Sequence, residues 1–496
     1  MTIISVLSKL YAMVLNGRMM EWGESRTGLR ARGQAGFRRG KRTTDHIMVL
    51  QHLVDKYRVK KAPLFASFID LSKAFDTVNR DMLWNRLDKL GVRGKMLTAL
   101  KAYYVSVQEA VKTRWGLTEK FESKLGVKQG CPLSPTLFGI YIDALEPFLE
   151  ETVPESTVRI GNMRASVLSY ADDIVLLAES EEEMQRLLNA LDAFCLDNEL
   201  TVNLSKSAAV VFESSRIPTS LSVFLSGQLL KNVDSYQYLG IRFTKKEGAR
   251  NSFEPLIETA RKALYALERR AFLQNIFDRG MLCKLFDSLV EPILLYGCEV
   301  WGPMIGPKNL GHEVEKLHLG FLKRMGGMRT STSSRVVLMD FQRSPVVWKI
   351  WKRVGQYWNR VHCMKDELPE GELMKYVMEE NISACNGFSK CWSGCVARGL
   401  EAIGVTNNGE PRDISGKVTG EVVWKALHDT DEKHLIEVRE GCNGNEMLRT
   451  YLRWFSKDEL SFTTDRLPSY LWMEHNNKLK KGLARFRTGC HELQVL

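Results

Sequence analysis

Val167-Leu168-Ser169-Tyr170-Ala171-Asp172-Asp173-Ile174-Val175-Leu176-Leu177 is the stretch whose reading decides the fold. Two adjacent carboxylates stand between two apolar runs, the pattern of a buried hairpin with its acids at the tip. Side by side they are costly to ionise unless a cation offsets their repulsion, which makes Asp172 and Asp173 candidate metal ligands. A solvated acidic tip would account for the pair on its own. Upstream, however, Leu64-Phe65-Ala66-Ser67-Phe68-Ile69 reads as a second buried strand with Asp70 at its end. Asp70 and Asp172 are therefore expected to meet across one sheet.

Around these strands the chain alternates between strand-like and helix-like segments, which predicts an α+β or α/β core. Ile47, Leu50, Val54 and Tyr57 keep helical spacing after Thr43 and Thr44, and Leu83, Leu87 and Leu90 do so ahead of a stop at Gly91. Ser134-Pro135 reads as an N-cap with proline at the first helical position, opening one helix whose stripe runs from Leu137 to Phe148. Ser180 and Glu183 form a capping box before Met184, Leu187, Leu188, Leu191 and Phe194. Ala208 to Phe212 and Tyr236 to Phe243 read as strands, and from about Asn251 the pattern turns mostly helical.

The gross composition bounds the class. The chain has 496 residues, 44% hydrophobic and 26% charged, which is globular and long enough for two to four domains. Seventy Lys and Arg outnumber 59 Asp and Glu, giving a formal charge of +11 that favours a polyanionic partner such as nucleic acid. The ten cysteines are scattered and complete no zinc pattern, so they read as free thiols of a reducing compartment. No apolar run is long enough for a membrane span, and the N-terminus lacks the layout of a secretory signal. An intracellular protein is expected, nuclear or cytoplasmic.

Three converging aspartates suit nucleotidyl transfer, which uses two divalent cations about 4 Å apart to activate a 3′ hydroxyl and hold a triphosphate. The neighbouring motifs carry a resemblance in the same direction. Phe68-Ile69-Asp70-Leu71-Ser72-Lys73-Ala74-Phe75-Asp76 resembles motif A of reverse transcriptases, Gly126-Val127-Lys128-Gln129-Gly130-Cys131-Pro132-Leu133-Ser134-Pro135 motif B, and Tyr170-Ala171-Asp172-Asp173 motif C. Leu204-Ser205-Lys206-Ser207 is similar to motif D and Tyr236-Gln237-Tyr238-Leu239-Gly240 to motif E. With Gln34-Ala35-Gly36-Phe37-Arg38-Arg39-Gly40 and Leu295-Tyr296-Gly297-Cys298-Glu299-Val300-Trp301, the wording is similar to non-LTR retrotransposons of the long interspersed type.

The resemblance implies a right-hand polymerase: fingers over 1–64, a palm with antiparallel sheet and interleaved fingers over 65–245, a helical thumb over 246–330, and a mostly helical accessory region over 331–496. It implies RNA-directed DNA synthesis with an RNA template, a DNA primer and deoxynucleoside triphosphates. Asp70, Asp172 and Asp173 would hold two magnesium ions, or manganese in their place, with the Ile69 carbonyl as a further ligand. Phe75 matches the steric gate against a 2′ hydroxyl, its alternative being a core phenylalanine. Gln129 and Gly130 match the loop beside the incoming nucleotide, where glycine lets the backbone approach closely. Lys206 matches the general acid for the leaving pyrophosphate, against a solvated surface lysine. Arg38, with Arg39, Lys41 and Arg42, is expected on the triphosphate or template phosphates, or else in a localisation signal or a solvated face.

Beyond 246 the basic residues Arg261-Lys262, Arg269-Arg270 and Lys316 to Arg324 suit phosphate contacts. Ser344-Pro345 opens a helix with Val347, Trp351, Val354 and Trp358 on one face, a core stripe or a surface for stacking on bases. Polymerase-like sequence starts almost at Met1, and Ala484 to His491 resembles a lead-in to a cysteine and histidine cluster that does not follow. A truncated copy is expected, either active or surviving as a catalytically silent nucleic-acid-binding relic.

Overall fold

In a computed structural model of the protein the described residues are 4–25, 30–105, 107–213, 221–276, 278–367, 372–384, 391–406, 418–440, 448 and 451–452. The stretch Ala484 to His491 lies outside them. The chain divides into two compact units, Met1–Gly248 with Glu367–Glu380, and Ala249–Asp366 with Asn381–Leu496.

The first unit is built on a four-stranded antiparallel sheet of β1 (Leu64–Asp70), β2 (Val167–Tyr170), β3 (Asp173–Ala178) and β4 (Ala208–Phe212), in the order β4-β1-β3-β2. β1, β3 and β4 are buried almost throughout, which explains their unbroken apolar runs: both faces are covered. Alternation along β1 sends Phe65 and Ile69 into a core shared with Leu137, Phe138, Leu187 and Leu188. Phe68 and Asp70 take the other face, where Phe68 stacks on Tyr236 at 4.4 Å. Tyr236 belongs to a ribbon of Ser235–Tyr238 and Ile241–Thr244. The outer edge of β2 is covered by the segment around Gln34, which bridges Ser169 in parallel.

The helices form where the periodicity placed them, with local differences. Thr43–Lys60 ends on a left-handed Lys61, and Arg80–Lys89 is followed by Gly91 at φ 96°. The helix expected from Ser134 to Phe148 is two, Ser134–Ile142 and Leu145–Thr152. The break falls at buried Asp143, which pairs with Arg30. Leu133 is the N-cap and Ser134 the first helical residue, its hydroxyl bonded to Tyr104 Oη at 3.1 Å instead of capping. Ser180 does cap Glu181–Asp197, accepting from the Glu183 N–H. The Glu183 carboxylate does not return the bond; it accepts from Thr157 N and Oγ1 and from Glu179 N, tying loop to helix.

A late segment completes this unit. Glu372 pairs with Lys41, and Glu380 takes His52 Nε2 at 2.8 Å, Lys56 Nζ at 2.8 Å and the Gly161 N–H at 2.6 Å. Burial opposes charge on Glu380, but the His52 and Lys56 bonds outweigh it and hold the carboxyl down to about 2. Gly161 has no room for a side chain beneath the Tyr376 ring.

The second unit is helical among its described residues, with long helices Phe253–Leu273, Glu313–Gly326, Val346–Glu367 and Gly420–Glu440. Val347, Trp351, Val354 and Trp358 are fully buried, which assigns the tryptophan stripe to the core and removes it from base stacking. Trp351 donates to the Ile305 carbonyl at 2.8 Å, and Trp358 stacks on Trp392 at 5.6 Å. Cys131, Cys195, Cys283 and Cys298 are free thiols, whereas Cys391 is disulfide-bonded, against the expectation of free thiols throughout. Among the described residues no helix is long and apolar enough to cross a membrane.

Candidate active site

The acids gather at one end of the sheet. β2 and β3 are closed by the two-residue turn Ala171-Asp172, with Tyr170 opposite Asp173, and Asp70 faces Asp173 on the other side. The direct cross-strand partner of Asp70 is thus Asp173, while Asp172 sits in the adjoining turn. Directly opposed residues share a face, which puts Asp70 and Asp173 beside each other. Burial, then the charges of Asp172 and Asp70, push the Asp173 carboxyl up to about 6. Asp172 is raised as well, by burial first and by Asp70. Two carboxyls that resist ionising together are a site short of positive charge.

Lys206 supplies part of it. Both backbone groups of Asp70 are engaged by one loop: its N–H donates to Ser207 Oγ at 3.1 Å, and its carbonyl accepts from the Asn203 N–H at 2.7 Å. That loop carries Lys206 Nζ to 3.7 Å from Asp70 Oδ2, with the lysine side chain 66% exposed. Tyr236 braces the loop from the ribbon, its hydroxyl donating to the Lys206 carbonyl at 3.2 Å. The stretches resembling motifs A, C, D and E therefore converge.

Ile69 lies opposite Ile174 inside the ladder. Because Asp70 spends both backbone groups on the β4 side, alternation turns the Ile69 carbonyl into the ladder with β3, opposite Ile174. That is a correction to its expected place among the ligands. Among the described residues no three His, Cys, Asp or Glu side chains form a ready-made metal cage. The donor set is nonetheless all oxygen and electrostatically strained, which fits a hard cation that takes few protein ligands and shares phosphate oxygens with a substrate.

Phe75 follows a left-handed Lys73 in the short helix Ala74–Thr77. Its ring stacks on Phe138 at 4.7 Å and meets Phe37 edge-on at 6.2 Å, so it is partly a core residue and partly open. Gln129 donates to Asp76 Oδ1 at 2.9 Å, and Gly130 has φ 77°, a backbone that favours glycine. Arg80 holds the approach to this loop by donating to the carbonyls of Ser123, Leu125 and Gly126 at 2.7 to 3.0 Å. Nothing in the local sequence marks Arg80, since all three contacts lie more than forty positions away.

Arg38 departs from its expected role. Its guanidinium is bidentate to Glu24 at 2.9 and 3.0 Å and donates to the carbonyls of Ala31 and Gln34, leaving the side chain 7% exposed. With four of its five N–H donors engaged inside the protein and its side chain buried, it is not presented to a phosphate. Lys41 is likewise paired, with Glu372, whereas Arg39 and Arg42 are exposed.

Comparison with known proteins accords with this geometry. Residues 1–243 match the family model described as reverse transcriptase (RNA-dependent DNA polymerase). The chain is 26% identical to a Pol polyprotein from a type-1 retrotransposable element R2 of Popillia japonica, over 50% of this chain and 42% of the relative. It is 28% identical to a probable RNA-directed DNA polymerase from transposon BS of Drosophila melanogaster, over 61% of this chain and 33% of the relative. For the RNA-directed DNA polymerase of mobile element jockey from Drosophila funebris the figures are 22%, 68% and 36%. The chain thus spans less than half the length of these relatives. A solved telomerase from Candida albicans aligns over 75% of this chain and 58% of its own, with TM-score 0.37 and 13% identity, too slight a likeness to establish a shared fold.

Proposed function

We propose, from the match of residues 1–243 to the reverse transcriptase model and the likeness to retrotransposon relatives, that this chain is an RNA-directed DNA polymerase of non-LTR retrotransposon type. It would extend a DNA primer on an RNA template with deoxynucleotides, by two-metal nucleotidyl transfer in a right-hand fold. The observation that carries this is the facing of Asp70 and Asp173 beside Asp172, with Lys206 held next to Asp70.

Asp70, Asp172 and Asp173 are the residues to hold magnesium or manganese, which when bound activates the 3′ hydroxyl and screens the triphosphate. The raised protonation of Asp172 and Asp173 matches a site completed by cations. Lys206, on a loop fixed to the Asp70 backbone, is placed to give a proton to the leaving pyrophosphate. Phe75, backed by Phe138, presents a flat edge against a ribose 2′ hydroxyl, while Gln129 and Gly130 border the nucleotide. Residues 1–64 serve as fingers, 65–245 as palm and 246–330 as thumb, with 331–496 accessory.

Primer extension by the purified chain on a homopolymer RNA template tests the reading. Synthesis that survives Asp172→Asn combined with Asp173→Asn would sink the mechanism. Tight primer-template binding with no incorporation at any magnesium concentration would mark a silent binding protein instead.

A further inference from the structure

We propose that Gln34 is a positioning residue for the turn that carries Asp172 and Asp173: its amide oxygen holds Ala171 in the left-handed conformation that aims both acids at Asp70. The catalytic consequence rests on the polymerase reading above; the positioning itself does not.

Ala171 has φ 60°, a backbone that residues with a side chain adopt rarely and keep only when their surroundings fix it. The turn is buried at this point, and among the described residues the Ala171 N–H finds no backbone acceptor. It donates to Gln34 Oε1 at 3.0 Å. The same oxygen accepts from the Gly36 N–H at 2.6 Å, so one side chain with 1% exposure ties the turn to its own backbone two residues on.

The support behind Gln34 is rigid. The Ser169 N–H donates to the Gly33 carbonyl at 2.8 Å, and the Ala35 N–H to the Ser169 carbonyl at 3.0 Å. A Cβ on Gly36 would collide with the Ala171 nitrogen, and one on Gly33 with the Val167 carbonyl, so the segment lies as close to the hairpin as a backbone can. Arg38 grips the Gln34 carbonyl from behind and is itself clamped by Glu24. The inward turn of Arg38 thereby has a use: Glu24, Arg38, Gln34 and Ala171 form one chain of contacts ending at the acids. Glutamine suits the last link because it accepts two N–H groups without adding a third negative charge beside Asp172 and Asp173. Gln34 acts through Ala171 and is not itself a group that reacts.

Amide hydrogen exchange resolved at Ala171 tests this without reference to activity. In the unaltered protein the Ala171 amide should exchange slowly; exchange at the rate of an unprotected amide overturns the proposal, whatever any variant does. Gln34→Met, similar in size and unable to accept, should speed exchange at Ala171 at least about 10²-fold while Val175 and Leu176 stay protected. Gln34→Glu keeps the acceptor and should keep the protection. In primer extension Gln34→Met should lower kcat about 10- to 10²-fold with the KM for deoxynucleotide within about threefold, the mark of misplaced acids. Unchanged exchange and unchanged kcat in Gln34→Met would refute the role. Protection at Ala171 in a chain that never polymerises would count against the polymerase reading alone.

Discussion

Replacing Asp173 by asparagine should stabilise this protein in the absence of divalent cations. Asp173 is raised from an ordinary 3.8 to about 6, by burial and then by the charges of Asp172 and Asp70. A shift of roughly two units at about 1.4 kcal/mol each sets an upper bound near 3 kcal/mol. The carboxyl is partly exposed, so solvent screening brings the expected gain down to about 1–1.5 kcal/mol. The sign follows from proton linkage. With the folded value above the unfolded one, ionised Asp173 penalises the native state above about pH 6, and protonation relieves the penalty as the pH falls from there toward 4. Asparagine carries no such penalty, so its advantage at pH 7.5 in EDTA should shrink through pH 6 and be nearly gone by pH 4. Urea unfolding of both proteins across that range measures it, and the difference cancels the titrating groups that do not interact with Asp173. Magnesium should stabilise the unaltered protein more than the variant, because it binds the native acids. A variant less stable than the parent at pH 7.5 in EDTA, or an advantage that does not fade toward pH 4, would refute the reasoning.

Other outcomes follow from the same site and its supports. Phe75→Ala should raise ribonucleotide incorporation relative to deoxynucleotide about 10- to 10²-fold in competition assays, with a stability loss of about 2 kcal/mol from the lost Phe138 stack. Lys206→Ala should lower kcat for single-nucleotide addition by about 10²-fold or more with little change in KM, as removal of a general acid does; an unaltered kcat would make Lys206 a mere neighbour of Asp70. Glu380→Gln should destabilise the first unit by about 1 kcal/mol at neutral pH, after allowance for its partial exposure. Because its folded value is depressed to about 2, that difference should vanish as the pH falls through the range between its unfolded value and 2.

The acidic hairpin and β1 were legible because each is local: an apolar run, a period, and an acid where the run ends. The helix at 43–60 and the strand at 208–212 were legible for the same reason. Arg38 was not, since a guanidinium in a basic run looks alike whether it meets solvent or a carboxylate fourteen positions back. Ile69 is named as a ligand by the resemblance alone, and only the strand register shows which way its carbonyl turns. The half-made capping box at Ser180 failed where Glu183 found better partners in Thr157, a tertiary choice that no spacing reveals. Arg80 and Gln34 were invisible as supports because their partners are backbone groups, which every residue has.

The return of Glu367–Glu380 to the first unit has a consequence for how the chain is made. That unit is discontinuous, so synthesis up to Gly248 leaves His52, Lys56 and the Gly161 amide without the carboxylate that joins them. Roughly 130 further residues separate Gly248 from Glu380, and at about 5–20 residues per second the ribosome needs about 7–26 s to deliver them. Over that interval the first unit must hold its shape unfinished. An expression fragment cut at residue 248 would stay in that condition permanently.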